Sequence, residues 1–175
     1  INFLNLSKSS KLDRINQKST RMKSLITLSL VLFTTISFAQ TNSDEESAKK
    51  LVVDFFEAFH QQDTIKLKSF AHQDVILHSI SVSSEKETKL TTDTYTKFLT
   101  GIASIPETTR FEEVLHDFEI SVHGKMANVS TPYSFYLNGE FSHCGVNSFQ
   151  LKRVEKEWKI IYLVETRQKT GCKEN

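Results

Sequence analysis

The sequence predicts an α+β domain in which about three N-terminal helices cover one face of an antiparallel sheet. In the first part of the domain, up to about Ile102, apolar residues mostly recur at three- and four-residue spacing, which is typical of amphipathic helices. From Arg110 onward the period changes to two, which is typical of strands with one buried face. Helices that precede a run of strands form a separate layer on the sheet.

The start of the chain lies outside this predicted fold. Residues 22–39 have the three parts of a secretory signal peptide, because a short basic start is followed by an apolar run and by small residues up to Ala39. The apolar run is shorter than the roughly 20 residues that a membrane span needs. We therefore expect cleavage near Ala39 and a periplasmic or secreted protein, with an uncleaved anchor as the alternative. Residues 1–21 are interpreted as an upstream or disordered segment, and residues 40–175 as a single domain.

Three segments of the domain have helical spacing. A cap at Ser43 or Asp44 precedes the first, Asp63 and Thr64 cap the second, and Pro106 stops the third. The helices are expected at about residues 44–61, 63–72 and 91–105. A strand rich in β-branched residues is expected at Val75 to Ser81, followed by a polar loop at residues 83–89.

Four long strands are expected in the second part of the domain. The first alternates apolar and polar residues without interruption from Val114 to Val122, which places His116 and Phe118 on the inner face. The following strand contains Pro132, which suits a bulge or a sheet edge. The last two strands form a hairpin around the turn at residues 154–157.

The register of the last two hairpins decides which side chains face the helices, because a slip of one residue turns every side chain to the opposite face. Strict pairing in the last hairpin runs from Trp158 opposite Arg153 to Val164 opposite Asn147, and a three-residue loop at 138–140 is expected in the preceding one. The expected inner face contains Tyr133, Phe135, His143, Gly145, Asn147, Phe149, Leu151 and Tyr162. The expected outer face contains Cys144, Ile161, Leu163, Glu165 and Arg167.

This order of elements resembles the nuclear transport factor 2-like superfamily, and most closely its secreted SnoaL-like bacterial members. The residues that carry the resemblance are the helix Leu51 to Phe59 and the set Gly145, Phe149, Gln150, Leu151, Trp158, Lys159, Ile160 and Thr166. The resemblance implies a cone-shaped curved sheet closed by helices around a central pocket, often in a homodimer. Its members include isomerases, dehydratases, cyclases and non-catalytic binding modules, so the fold does not decide the function.

Six side chains are candidate ligand-binding residues of such a pocket. They are His78, His116, Tyr133, His143, Asn147 and Tyr162. His116 and His143 are also the candidates for a catalytic acid or base, since an imidazole titrates near neutral pH. No metal site is expected, because the histidines lie on different strands without close ligand spacing. The carboxylates are expected to point outward, which argues against proton abstraction by an acidic residue.

The two cysteines, Cys144 and Cys172, either form a disulfide or remain free thiols. In an exported protein they form a disulfide that holds the C-terminal tail against a strand. Otherwise both are free thiols. A nucleophilic Cys144 activated by His143 is disfavoured, because neighbouring residues of a strand point to opposite faces.

Charge and composition limit the partners. Lys and Arg number 22 and Asp and Glu number 21, so the net charge of +1 gives no reason to expect a nucleic acid or an anionic membrane surface. We expect no cofactor and no stable membrane insertion after cleavage. The first hypothesis is a non-catalytic domain that binds a small apolar molecule in its cone. The alternative is an isomerase, dehydratase or cyclase with an inward histidine, and a third is a homodimerising module that uses Val146, Ile161 and Leu163.

Overall fold

The computed structural model describes residues 43–82 and 87–172, so the predicted signal peptide and the segment before it lie outside the described residues. The described residues contain three helices, α1 over residues 43–60, α2 over Thr64–Phe70 and α3 over Tyr95–Ala103. The strands are β1 Ala71–Val82, β2 Thr88–Thr94, β3 Phe111–Leu115, β4 Glu119–His123, β5 Met126–Leu137, β6 Glu140–Val154 and β7 Glu157–Arg167. None of the described helices is both long and apolar enough to cross a membrane.

Helix α1 packs its apolar face onto the sheet, as its spacing predicts. Phe55 and Phe56 are almost fully buried and meet Phe149 of β6 edge to face, with ring centroids 5.6 and 5.9 Å apart. The N-terminal end of the helix is held at the β6–β7 hairpin, where Asp44 forms an ion pair with Arg153 at 2.7 Å. The helix is thereby fixed across the inner face of the sheet.

The sheet is curved, unclosed and mixed, with the strand order β2-β1-β7-β6-β5 and both β3 and β4 beside β5. The α+β class is confirmed. One pair departs from the expected antiparallel arrangement, since β1 runs parallel to β7. Strands so far apart in sequence are joined by a long connection, and local periodicity carries no information about their relative direction.

Strand β2 and the start of α3 differ from the sequence prediction. Residues 88–94 form a strand that pairs with β1, although part of this segment was expected to be loop and part helix. The threonines suit a strand, but the segment is mostly exposed and shows no apolar alternation. Helix α3 therefore begins at Tyr95, with the Thr94 side chain capping the Lys97 amide.

The β6–β7 hairpin follows the predicted register only near its turn. Trp158 pairs with Arg153 and Ile160 with Leu151, but beyond this point the register shifts by one residue. Ile161 is the extra residue of a β-bulge. The rest of β7 is consequently turned over. Leu163, Glu165 and Arg167 face inward, and Tyr162 and Val164 face outward, which corrects the prediction for all five residues.

A second bulge separates β3 from β4. Leu115 pairs with Tyr133 and Glu119 pairs with Ser130, so the chain advances four residues against three on β5. The uninterrupted alternation predicted for this segment is therefore wrong. Glu113 points inward beside Phe135, and His116 points outward.

A third bulge lies in the β5–β6 hairpin. The turn is a two-residue Asn138-Gly139 turn with φ of 52° and 84°, instead of the expected three-residue loop. Ser142 is then the extra residue, so that Phe135 pairs with His143. The expected sharing of one face by Tyr133, Phe135 and the inner residues of β6 is confirmed, although a bulge produces it.

The disulfide alternative is the one present in the structure. Cys144 and Cys172 are joined, with their Cα atoms 5.7 Å apart. Backbone hydrogen bonds in both directions between Cys144 and Gln168 continue the pairing beyond β7. The bond holds the tail on the outer face of β6.

Gly145 of β6 lies directly against the backbone of β7, and this predicts a steric effect of substitution. A Cβ atom at this position would lie 1.7 Å from the Thr166 carbonyl oxygen and 2.9 Å from the Tyr133 ring. We expect Gly145→Ala to lower the free energy of unfolding by about 3 kcal/mol or more, because backbone atoms must move. Urea denaturation measures this loss.

Gly101 in α3 provides the matched control. A Cβ atom there meets nothing within 4 Å. Gly101→Ala should raise stability by about 0.5 to 1 kcal/mol, because alanine restricts the unfolded chain more than glycine does. Equal effects of the two substitutions would contradict the assigned close approach.

Candidate functional site

A cavity of about 530 Å³ lies between the helices and the inner face of the sheet. One side is lined by aromatic rings and the other by polar and charged groups. The lining residues used below are Phe55, Phe59, Phe98, Ile105, Phe135, Ser79, Asp93, Lys97, Glu113, His143, Asn147, Glu165 and Arg167. A larger, more open groove of about 840 Å³ borders Glu107, Arg110 and Glu112. It shares none of the residues named above for the 530 Å³ cavity.

The aromatic side is built by the spacing of helices α1 and α3. Phe55 and Phe59 lie one turn apart on α1, and both stack against Phe98 of α3 with ring centroids 6.2 and 6.0 Å apart. Phe135 continues the apolar wall on the sheet and stacks on the His143 ring at 4.7 Å. Flat apolar surfaces of this kind suit a ring-containing or hydrocarbon ligand.

Glu165 is the centre of a hydrogen-bonded cluster at the polar side. Its carboxylate accepts hydrogen bonds from Ser79 at 2.5 Å, from the Arg167 guanidinium at 2.8 Å and from the Tyr133 hydroxyl at 3.1 Å. The Tyr133 hydroxyl also lies 3.0 Å from the Thr166 carbonyl oxygen. Burial, aided by the negative charges of Glu165 and Glu113, raises the pKa of Tyr133. The phenol is therefore a permanent donor near neutral pH.

Glu113 is the second inward carboxyl group. The Asn147 side-chain amide donates to its Oε2 atom at 2.8 Å, and its backbone N–H donates to Nε2 of His60 at 2.9 Å. Burial raises the pKa of Glu113 to about 7; the Asn147 hydrogen bond and Arg167 oppose this shift, while Glu165 adds to it. Glu113 can therefore gain or lose a proton at neutral pH.

His143 lies in the same cavity as a buried imidazole. Its Nδ1 atom is 3.1 Å from the Ser142 hydroxyl, and its ring contacts Tyr133 as well as Phe135. Burial lowers the pKa of His143, and the positive charges of Arg167 and Lys169 lower it further, against the opposing effect of Glu165. The neutral imidazole is thus the favoured form near neutral pH.

The predicted site residues fall into two groups. His143 and Asn147 line the cavity, and the Tyr133 hydroxyl reaches its polar cluster. The side chains of His78 and Tyr162 lie together on the outer face of the sheet, with Nδ1 and the hydroxyl 2.7 Å apart, although His78 also borders the cavity.

His116 also lies away from the cavity. Its Nε2 atom is 3.0 Å from the hydroxyl of Ser134, which is 1% exposed and therefore closed to a substrate. The expectation that His116 and Tyr162 point inward is wrong, because both assignments assumed alternation without the observed bulges. His78 borders the cavity, although its imidazole contacts Tyr162.

Sequence reasoning missed Glu113, Glu165 and Arg167 as cavity residues. One signal in the sequence could have indicated this possibility for Glu165 and Arg167. The preceding run from Ile160 to Val164 is apolar throughout, so alternation does not define which face of this strand is buried. Among the described residues, no group of three or more histidine, cysteine or acidic side chains is arranged to hold a metal ion.

The raised pKa of Glu113 predicts a pH-dependent loss of stability. An unfolded glutamate titrates near 4.5 and the folded one near 7, so the folded state binds more protons in between. Stability from this group is complete below about pH 4.5 and is lost as the pH rises through about 7. Glu113→Gln should therefore gain about 3 kcal/mol over the wild type between about pH 4 and pH 8.

Urea denaturation across this pH range measures the difference. Glu112→Gln, at the neighbouring and exposed position on β3, is the control and should follow the wild type at every pH. A constant offset between Glu113→Gln and the wild type from acid to alkaline pH would contradict a raised pKa.

Solved structures share this architecture. A nuclear transport factor 2-like protein from Cytophaga hutchinsonii superposes with a TM-score of 0.56 at 16% identity, covering 70% of this chain and 97% of its own. A protein from Novosphingobium aromaticivorans, provisionally assigned as a scytalone dehydratase, superposes with a TM-score of 0.58 at 15% identity. The match covers 78% of this chain and 99% of that protein. A protein of unknown function with a cystatin-like fold from Nostoc punctiforme superposes with a TM-score of 0.57 at 10% identity. The match covers 73% of this chain and 92% of that protein. No protein-family model and no curated protein sequence matches the chain. The chain adopts the nuclear transport factor 2-like fold.

Proposed function

We propose that this protein is an exported binding domain that holds a small, largely apolar molecule in the cavity between its helices and sheet. The observation that carries the proposal is an open volume of about 530 Å³ with an aromatic wall and polar groups that converge from the opposite side. Ligand sites of proteins have this make-up and typically occupy about 300 to 1,000 Å³. A cone filled by its own side chains would have argued against binding.

The polar side supplies the groups that orient the ligand. Asn147 and Glu113 are joined to each other, and His143 presents a neutral ring. Arg167 donates to Glu165 through one nitrogen, and its side chain is 53% exposed, so further guanidinium N–H groups face the opening. The ligand is therefore expected to place its apolar body on the phenylalanines and its polar group toward β3, β6 and β7.

Export is part of the same proposal. The tripartite pattern of residues 22–39 supports it, and so does the Cys144–Cys172 disulfide, because such bonds persist mainly in oxidising compartments.

Closing the cavity by substitution should abolish binding. Ile105 lines the cavity two residues after the end of α3, and Ile105→Trp places an indole in the ligand volume. Native mass spectrometry should show a retained ligand, or a bound aromatic fragment, in the wild type and a loss of about tenfold or more in affinity for the variant. Ile65→Trp is the matched control, because Ile65 is 85% exposed on α2. Equal binding by both variants would contradict the assigned site.

An acid–base enzyme is the second candidate, and Glu113 is the observation that favours it. The sequence argument against this chemistry assumed that the carboxylates point outward, but Asp93, Glu113 and Glu165 line the cavity. Glu113 in its ionised form can take a proton from a carbon next to a carbonyl group and return it to another carbon. The electron pair moves to the carbonyl oxygen, where an Arg167 N–H can stabilise the charge. His143 is the remaining histidine for an acid or base role, since His116 lies outside the cavity.

Deuterium exchange tests this second candidate. Carbonyl compounds that bind the wild type should incorporate deuterium from D2O at the acidic carbon, and Glu113→Gln should lose about 100-fold or more of the exchange rate while still binding. Glu113→Asp, which keeps the carboxylate, should retain part of the rate. If the wild type exchanges no deuterium into any compound that it binds, the acid–base enzyme is contradicted and the binding function remains.

A further inference from the structure

We infer that the ligand of this cavity is an organic cation, a protonated amine carried on a ring-containing apolar body. This inference rests on the proposed binding function and adds the chemical class of the ligand.

The charges that line the cavity do not balance. Asp93, Glu113 and Glu165 are acidic, and Lys97 and Arg167 are basic. The Glu165 carboxylate is paired with Arg167 at 2.8 Å, and Asp93 with Lys97 at 2.5 Å. In the described part of the chain Glu113 forms no ion pair, and its side-chain partner is the uncharged amide of Asn147. Glu113 is therefore the one acidic residue of this lining without an ion-pair partner.

A cationic ligand supplies the counter-charge that Glu113 lacks. A carboxylate removed from water is unfavourable unless a partner of opposite charge compensates it. The raised pKa of Glu113 reflects this penalty. An ammonium group next to Glu113 removes the penalty and keeps the carboxylate ionised.

The aromatic wall favours the same class of ligand. The faces of phenylalanine rings carry partial negative charge and attract an ammonium group within about 6 Å. Phe55, Phe59 and Phe98 form a stacked wall, and Phe135 lies on the sheet next to Glu113 in the pairing of β3 with β5. An anion in the same position would be repelled by the Glu113 carboxylate.

The two cations of the lining do not reverse this preference. Each is paired with its own carboxylate, and the side chains of Lys97 and Arg167 are 71% and 53% exposed. Solvent therefore screens their charges at the opening. Arg167 also acts on Glu113, but burial outweighs its effect on the pKa of that carboxyl group.

A series of three naphthalene compounds with nearly the same shape tests the inference. Calorimetric titration of the intact domain at pH 7 compares 1-naphthylmethylammonium, 1-naphthylmethanol and 1-naphthoate. We expect the ammonium compound to bind about tenfold more tightly than the alcohol, and the carboxylate to bind most weakly. Repeating the titration in buffers of different ionisation enthalpy should show release of protons when the ammonium compound binds, because its charge lowers the raised pKa of Glu113.

Glu113→Gln should remove both the preference for the ammonium compound over the alcohol and the proton release. Glu112→Gln, the exposed neighbour, should behave as the wild type. Equal or tighter binding of the alcohol or the carboxylate by the wild type would overturn the inference and leave the proposed binding function standing. Failure of all three compounds to bind would overturn both.

Discussion

The β-bulge at Ile161 determines which chemical groups the cavity contains. Up to Ile160 the last strand follows simple alternation, and beyond the bulge every side chain is turned over. Without the extra residue, Tyr162 and Val164 would line an apolar space, and Glu165 and Arg167 would lie in solvent. A bulge sacrifices ladder hydrogen bonds, and the hydrogen bonds that Ser79, Tyr133 and Arg167 donate to Glu165 offset that loss.

The surroundings of the bulge hold this arrangement in place. Gly145 allows β6 to approach the Thr166 carbonyl, so that the Tyr133 ring can cross the strand and place its hydroxyl at Glu165. On the outer face the Cys144–Cys172 disulfide and the pairing of Cys144 with Gln168 extend the sheet beyond β7. Sites supported on both sides by regular strands keep their side-chain geometry better than sites on loops.

The parts of this structure that depend on periodicity could be predicted from the sequence. The buried face of α1 follows from the spacing of Leu51, Phe55 and Phe59, and the inner face of β6 follows from alternation at Asn147 and Phe149. The three bulges could not be predicted, because a single extra residue leaves the composition of a strand unchanged. Glu113 lies just before such a residue and Glu165 lies beyond one, so strict alternation assigned both to solvent. The sequence therefore does not predict the inward orientation of Glu113 and Glu165, the acidic groups on which the chemistry of the cavity depends.

The protonation of Glu113 links the two functions that the cavity can support. A carboxyl group that is half protonated at neutral pH can act as an acid or a base only while no ligand charge fixes its state. An ammonium group bound beside it would lower its pKa, hold it ionised and weaken it as a base. A neutral carbonyl ligand would leave the raised pKa in place and keep proton transfer available. The charge of the natural ligand thus decides between a binding domain and an acid–base enzyme in one and the same cavity.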